Sequence, residues 1–223
     1  MQLSSSGSLR AVPLGAAWDV AGNWSKGSVP GVNDDVLINS GASLVISSGV
    51  TASIRTLVST GTITVSTGGT LSISNASTIG GTLNISGTLN GAANLTLSGT
   101  NTLSGGTISG TGTLSLAPGA SLTSTGSSSI SRSFTNSGTL DIPSGTLTAS
   151  LTNLGTLKGS GTLAGNLSNA ATLAPGNGTT TGILTISGNY TQTSSGTLAI
   201  QANGTTAGTD YSQLAVSGTS STV

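Results

Sequence analysis

The sequence predicts an all-β fold: a single-stranded parallel β-helix (a β-solenoid), right-handed, with an N-terminal cap. Three observations carry this. The tripeptide Gly-Thr-Leu or Gly-Thr-Ile recurs, beginning at Gly61, Gly69, Gly81, Gly87, Gly106, Gly112, Gly138, Gly145, Gly155, Gly161 and Gly196. After it the chain alternates aliphatic and small polar residues, which sends aliphatics to one face of a strand and hydroxyls to the other. Between Arg55 and Arg132, 76 residues pass without Asp, Glu, Lys, Arg or His. A stack of short strands tolerates that because Thr, Ser and Asn supply its polar face.

A sandwich is the competing architecture. Sandwiches fill a core about 10 Å thick, usually with large aromatics. Here Trp18, Trp24, Phe134, Tyr190 and Tyr211 are the whole supply, and none falls in the charge-free stretch. A β-helix coil needs only stacked Leu, Ile and Val, with Gly permitting tight corners.

Residues 1–36 read as an N-terminal segment and cap. Trp18 and Trp24 suit the cover of an open core, since terminal repeats of such folds are atypical. Asn33-Asp34-Asp35 falls in the same segment. Residues 37–216 read as the β-helix, with strands such as Thr62–Val65, Thr70–Ile73, Thr82–Ile85 and Thr113–Leu116. Gly81–Leu89 echoes in Gly106–Leu114, 25 residues on. Leu116-Ala117-Pro118-Gly119 echoes in Leu173-Ala174-Pro175-Gly176, 57 residues on. Coils of about 20 to 25 residues would give roughly seven to nine turns, a rod about 35 to 45 Å long. The register expected places Leu71, Ile73, Leu83, Ile85, Leu114 and Leu116 inside. Residues 217–223 read as a truncated end.

The ends carry a resemblance. Trp18, then Gly22-Asn23-Trp24, Pro30 and Asp34-Asp35-Val36-Leu37-Ile38 resemble the opening of bacterial surface β-helix proteins. These include autotransporter-type passengers and related large adhesins. Gly182–Gln192, Gly196–Ile200 and Asp210–Gly218 are similar to the passage that closes many such passengers. The resemblance implies a rod displayed at the cell surface or secreted, outside a bacterial outer membrane, and a fragment of a larger exported protein. It also implies end-to-end continuation with further repeats. Met1 to Ala17 does not read as a signal peptide, because its apolar run Ala11–Ala17 is short and holds Pro13.

Composition excludes several functions. Five acidic residues balance five basic ones. Arg10, Lys26, Arg55, Arg132 and Lys158 are too scattered for nucleic-acid binding, which needs clustered cations. No segment approaches the roughly 20 apolar residues that a membrane-spanning helix requires. With no His, Cys or Glu, the usual general bases, thiolates and transition-metal ligands are missing. The reading therefore names no catalytic, cofactor-binding or metal residue, and no cofactor.

Some β-helices do act on polysaccharides, and glycoside hydrolysis needs paired carboxylates across one cleft. Asp34 and Asp35 are the only adjacent acids, and alternation would turn them to opposite faces. Turn and cap hydrogen bonding is the expected role for both. Asn33-Asp34-Asp35 is too poor in oxygen ligands for a calcium site. Asp141 is expected in a solvated ion pair, with Arg132 or Lys158.

The expected function is a non-catalytic structural or adhesive rod, with a partner protein or glycan on a host or neighbouring cell. A β-helical polysaccharide-active enzyme is the first alternative. An ice-binding solenoid is the second, and its regular Thr rows are already broken at Ser72, Asn84 and Ser115.

Overall fold

A computed structural model describes residues 6–8 and 15–222, with side chains from residue 15 onward. Residues 1–5 and 9–14, Arg10 among them, lie outside the described residues. Strands make up nearly all regular structure, and the one helical turn described is a short 3-10 turn at Ala21–Asn23.

The chain winds as a β-solenoid, each turn adding one strand to each of three sheets. Asp35–Ile38 lies in the first sheet, Ser43–Ile46 in the second and Thr51–Ile54 in the third; Thr56–Ser59 then returns over Asp35–Ile38. The three sheets hold eleven, ten and nine strands, and their ladders are parallel throughout. The strands are two to five residues long, because each face of a coil is only that wide before the chain must turn.

The expected register holds. Leu71, Leu83, Leu114 and Leu116 are fully buried, Ile85 is 2% exposed and Ile73 is 6% exposed. Thr82 and Asn84, between buried neighbours, point outward and are half-buried. Most inward aliphatics stack on an aliphatic one coil below, as Leu89 does on Leu71, while Ile79 and Leu95 stack on the buried Ser59 and Ser77. Full burial of such a side chain stabilises by about 1.5–3 kcal/mol.

The coil length departs from the expectation. Asn136, Asn153, Asn169 and Gln192 stack in one column, separated by 17, 16 and 23 residues. The 25-residue echo is therefore not a coil: it relates Thr82–Ile85 in the second sheet to Thr107–Ile108 in the third. The 57-residue echo likewise relates Leu114–Leu116 in the first sheet to Thr172–Pro175 in the second. The cause is chemical. Gly-Thr-Leu or Gly-Thr-Ile opens strands of the second and third sheets and, at Gly112, leads into one of the first, since each needs a close corner followed by an outward hydroxyl and an inward aliphatic.

The close corner is visible at Gly61, Gly81 and Gly99. A Cβ on Gly81 would lie 1.9 Å from the Gly61 carbonyl oxygen, and one on Gly99 would lie 1.9 Å from that of Gly81. Any larger residue would force the coils apart.

The column Asn136–Asn153–Asn169 continues a line of buried aliphatics, Ile79, Leu97 and Leu116, on the same inward register of the first sheet. The Asn136 amide donates to Oδ1 of Asn153 at 2.7 Å, Asn153 donates to Oδ1 of Asn169 at 2.7 Å, and Asn169 donates to Oε1 of Gln192 at 2.9 Å. The same amides reach backbone carbonyls at the next corner, as Asn153 does at Thr172. Buried amides are tolerated there because each finds partners.

At the N-terminal end Ala16–Ala17 pairs with Leu44–Val45, and the Trp18 amide donates to the Val45 carbonyl at 2.9 Å. Trp18 and Trp24 meet edge to face, with ring centroids 4.7 Å apart. Both are buried within the same core as Leu44 and Ile46. The Trp24 indole donates to the Trp18 carbonyl at 2.8 Å and the Asn23 amide to the Ala17 carbonyl at 2.7 Å, fixing the fold-back.

Candidate functional site

The acidic residues are held one by one. Asp34 precedes the first-sheet strand and accepts from the Gly31 amide at 2.9 Å and from Lys26 Nζ at 2.9 Å. The Gly31 amide, then Lys26, holds its carboxyl below the usual carboxylate range. Asp35 opens the strand, accepts from Arg55 Nε at 2.7 Å and from Thr56 Oγ1 at 2.7 Å, and pairs with the Arg55 Nη2 group. Asp34 thus takes the expected turn role together with an ion pair, whereas Asp35 lies in a strand and bonds to Arg55 and Thr56 of the next coil instead of capping a turn. Asp141 and Lys158 occupy neighbouring rungs of the second sheet with 3.4 Å between their charged atoms. Among the described residues no three potential metal ligands of the His, Cys, Asp or Glu type come together.

Arg132 does not join Asp141. It lies in the corner 131–133 between the third and first sheets, and only 6% of it is exposed. Its Nη2 donates to the carbonyls of Gly91 and Ser109, both at 2.6 Å, and Nη1 to that of Ala93 at 3.3 Å. Glycine makes room for it: a Cβ on Gly110, where φ is +113°, would lie 2.7 Å from Nη2. Nε–H has no partner. Burial alone pushes the guanidinium pKa down from its ordinary value, with no carboxylate acting on it. Lys26, Arg55 and Lys158 each have a carboxylate partner, so Arg132 is the one unpaired Lys or Arg among the described residues.

Beside Arg132 the corners shorten. Residues 109–113 form the third-to-first corner in one coil, 131–133 in the next, then 149–150 and 165–166, before 187–189 lengthens it again. Over the short corners lie two clefts of about 400 and 380 Å³ that share Ser133 and Ser150. They form one notch. Ser131, Ser133, Thr148, Ser150, Thr152 and Asn166 line it and are exposed. Asn166 Oδ1 accepts from the Asn189 amide at 2.9 Å, which fixes the side chain on the notch wall. The sequence reading did not find this notch. Its signal was the shrinking gap between successive strands, hidden while the coil length was unknown.

Outward hydroxyls form lines. In the first sheet Thr78, Thr96, Ser115, Thr135, Thr152, Ser168, Thr191 and Ser221 share one register. In the second, Ser43, Thr62 and Thr82 stack, and Thr100, Ser121, Thr139, Thr156, Thr172 and Thr197 continue. The neighbouring column of that sheet runs Val45, Thr64, Asn84, Thr102, Thr123, Asp141, Lys158 and Ala174, so its hydroxyls are interrupted and no continuous two-column grid forms.

Fold and surface together define the class: a parallel β-solenoid with hydroxyl-bearing faces and polar clefts between its corners. No family model, no curated protein and no solved structure matches the chain.

Proposed function

We propose that this chain is a non-catalytic structural and adhesive rod, passenger-like, displayed on or secreted from a bacterial cell surface as part of a larger exported protein. The observation that carries the reading is the set of outward hydroxyl columns in register along the rod. Neutral Thr and Ser at every step, about 4.8 Å apart, offer many weak hydrogen bonds to a partner protein or glycan on a host or neighbouring cell. The acidic residues support the same reading. Asp34, Asp35 and Asp141 each face a cation, and Asp141 has no second carboxylate facing it across its cleft, whereas glycan hydrolysis needs a facing pair.

The test is the triple variant Asp34→Asn, Asp35→Asn, Asp141→Asn, compared with the intact chain in a cell- or bead-adhesion assay and in a screen for polysaccharide cleavage. Adhesion is expected to survive within about twofold, since exposed ion pairs contribute little. A glycan-cleaving activity in the intact chain that disappears in a folded triple variant would reject the rod in favour of an enzyme.

A further inference from the structure

The corner from the second sheet to the third runs over residues 143–145 in one coil and 160–161 in the next, then widens to 176–182 and to 199–212. The shorter corners already close a coil, and long loops on a rigid scaffold are where binding groups concentrate. The two loops brace each other. Gln201 Nε2 donates to the Gly178 carbonyl at 2.7 Å, and Thr181 Oγ1 to that of Thr209 at 2.6 Å. Gly159 and Gly176 exchange backbone hydrogen bonds at the base of the first loop. Against this loop lies a cleft of about 210 Å³ lined by Asp141, Pro143, Ser160, Asn177 and Thr180. Two of its polar groups keep free capacity. Asn177 turns Oδ1 to its own loop, accepting from the Thr179 amide at 2.9 Å, the Thr179 hydroxyl at 2.8 Å and the Thr180 amide at 2.7 Å. Those donors identify the oxygen. They leave the NH2 group, with its two hydrogens, without a partner among the described residues. The Asp141 carboxylate meets only Lys158 among the described residues, and their 3.4 Å separation is longer than a charge-assisted hydrogen bond.

We propose that this cleft binds one neutral sugar unit, with Asp141 accepting from one ring hydroxyl and the Asn177 amide donating to its neighbour. Charge selects the class. An anion is repelled by Asp141, the charged group of the lining, and a cation by Lys158 beside it. A divalent ion would find a single carboxylate, too few oxygen ligands to hold it. What remains is a neutral ligand that brings donors and acceptors side by side, as vicinal hydroxyls do. The Ser160 and Thr180 hydroxyls add further partners. A peptide needs an open strand edge or an apolar groove, and the lining offers neither. The volume lies below the roughly 300–1,000 Å³ of pockets for drug-sized ligands, so a single unit enters, at the end or on a branch of a glycan. This goes beyond the rod reading: the hydroxyl rows hold a surface through many weak contacts, whereas the cleft selects one sugar. Its loss leaves the rows, and the adhesion they carry, in place.

Separate titrations of the intact chain with the methyl glycosides of glucose, galactose and mannose, followed by the NMR signals of the Asn177 side-chain amide, test it. The expected result is a saturable shift with at least one of the three. The uronic acid and the amino sugar corresponding to that glycoside should each bind at least threefold more weakly. Asn177→Asp, at an exposed position, keeps the oxygen that closes the loop and replaces the two donors by an acceptor. It should weaken binding at least tenfold with an unchanged melting temperature. Asp141→Asn should weaken it at least threefold and leave bead adhesion unchanged. No saturable shift with any glycoside, equal binding of its charged forms, or full binding by either folded variant would each overturn the site and leave the rod reading standing. Cleavage of a glycoside during incubation would instead overturn the rod reading.

Discussion

At the residue scale, one substitution decides whether the buried amide column holds its coils together. Asn153 donates to Asn169, to Gly155 and to Thr172, and accepts from Asn136. Asn153→Ala deletes these bonds, leaves the Asn136 amide and Asn169 oxygen short of a partner and opens a small void. An unsatisfied buried group costs about 1–3 kcal/mol, so a loss of about 2–4 kcal/mol is expected by chemical denaturation. A loss below about 1 kcal/mol would show that the column contributes no more than an exposed polar row. The column was legible in principle. Asn136-Ser137-Gly138-Thr139-Leu140 and Asn153-Leu154-Gly155-Thr156-Leu157 share Asn-x-Gly-Thr-Leu at the true coil spacing. The Gly-Thr-Leu tripeptide inside it, repeated on more than one sheet, concealed that period.

At the scale of the element, the two N-terminal tryptophans are buried in the core that continues through the coils. A Trp pair six residues apart, with Gly22-Asn23 between, was read as an end cover, and the fold-back buries both rings against the first coils. Replacing Trp18 and Trp24 together by Ala removes two of the largest buried side chains. Truncating one buried Trp costs about 3–5 kcal/mol, and a coil at an end is held by a neighbour on one side only. The double variant should fray at the N-terminal end and self-associate through the exposed edges of the strands beneath. Light scattering and a melting curve identical to the intact chain's would remove the capping role.

At the scale of the whole molecule, stability is shared between neighbouring coils and lacks a single centre. Middle coils stack on both sides. Near the C-terminal end Leu198 is 40% exposed and Gln213–Val216 is only half-buried. Amide exchange should therefore be slowest around Leu97, Leu116 and Leu140, and faster by orders of magnitude at Thr197–Leu198 and Gln213–Val216. Uniform protection along the rod would mean one cooperative unit, contrary to nearest-neighbour stacking.

The sequence by itself determined the fold class and the inward register. Alternation with a period of two, and a corner glycine before each strand, are local properties that need no knowledge of which coil lies above. Only the tertiary structure decided which strands stack. A coil closes wherever three faces and three corners happen to fit, and here the corners change length from turn to turn. That variation separated the true columns from the sequence echoes and lined the hydroxyls into rows. It also carried Arg132 away from Asp141, into the carbonyls of two earlier coils, and left the notch beside it.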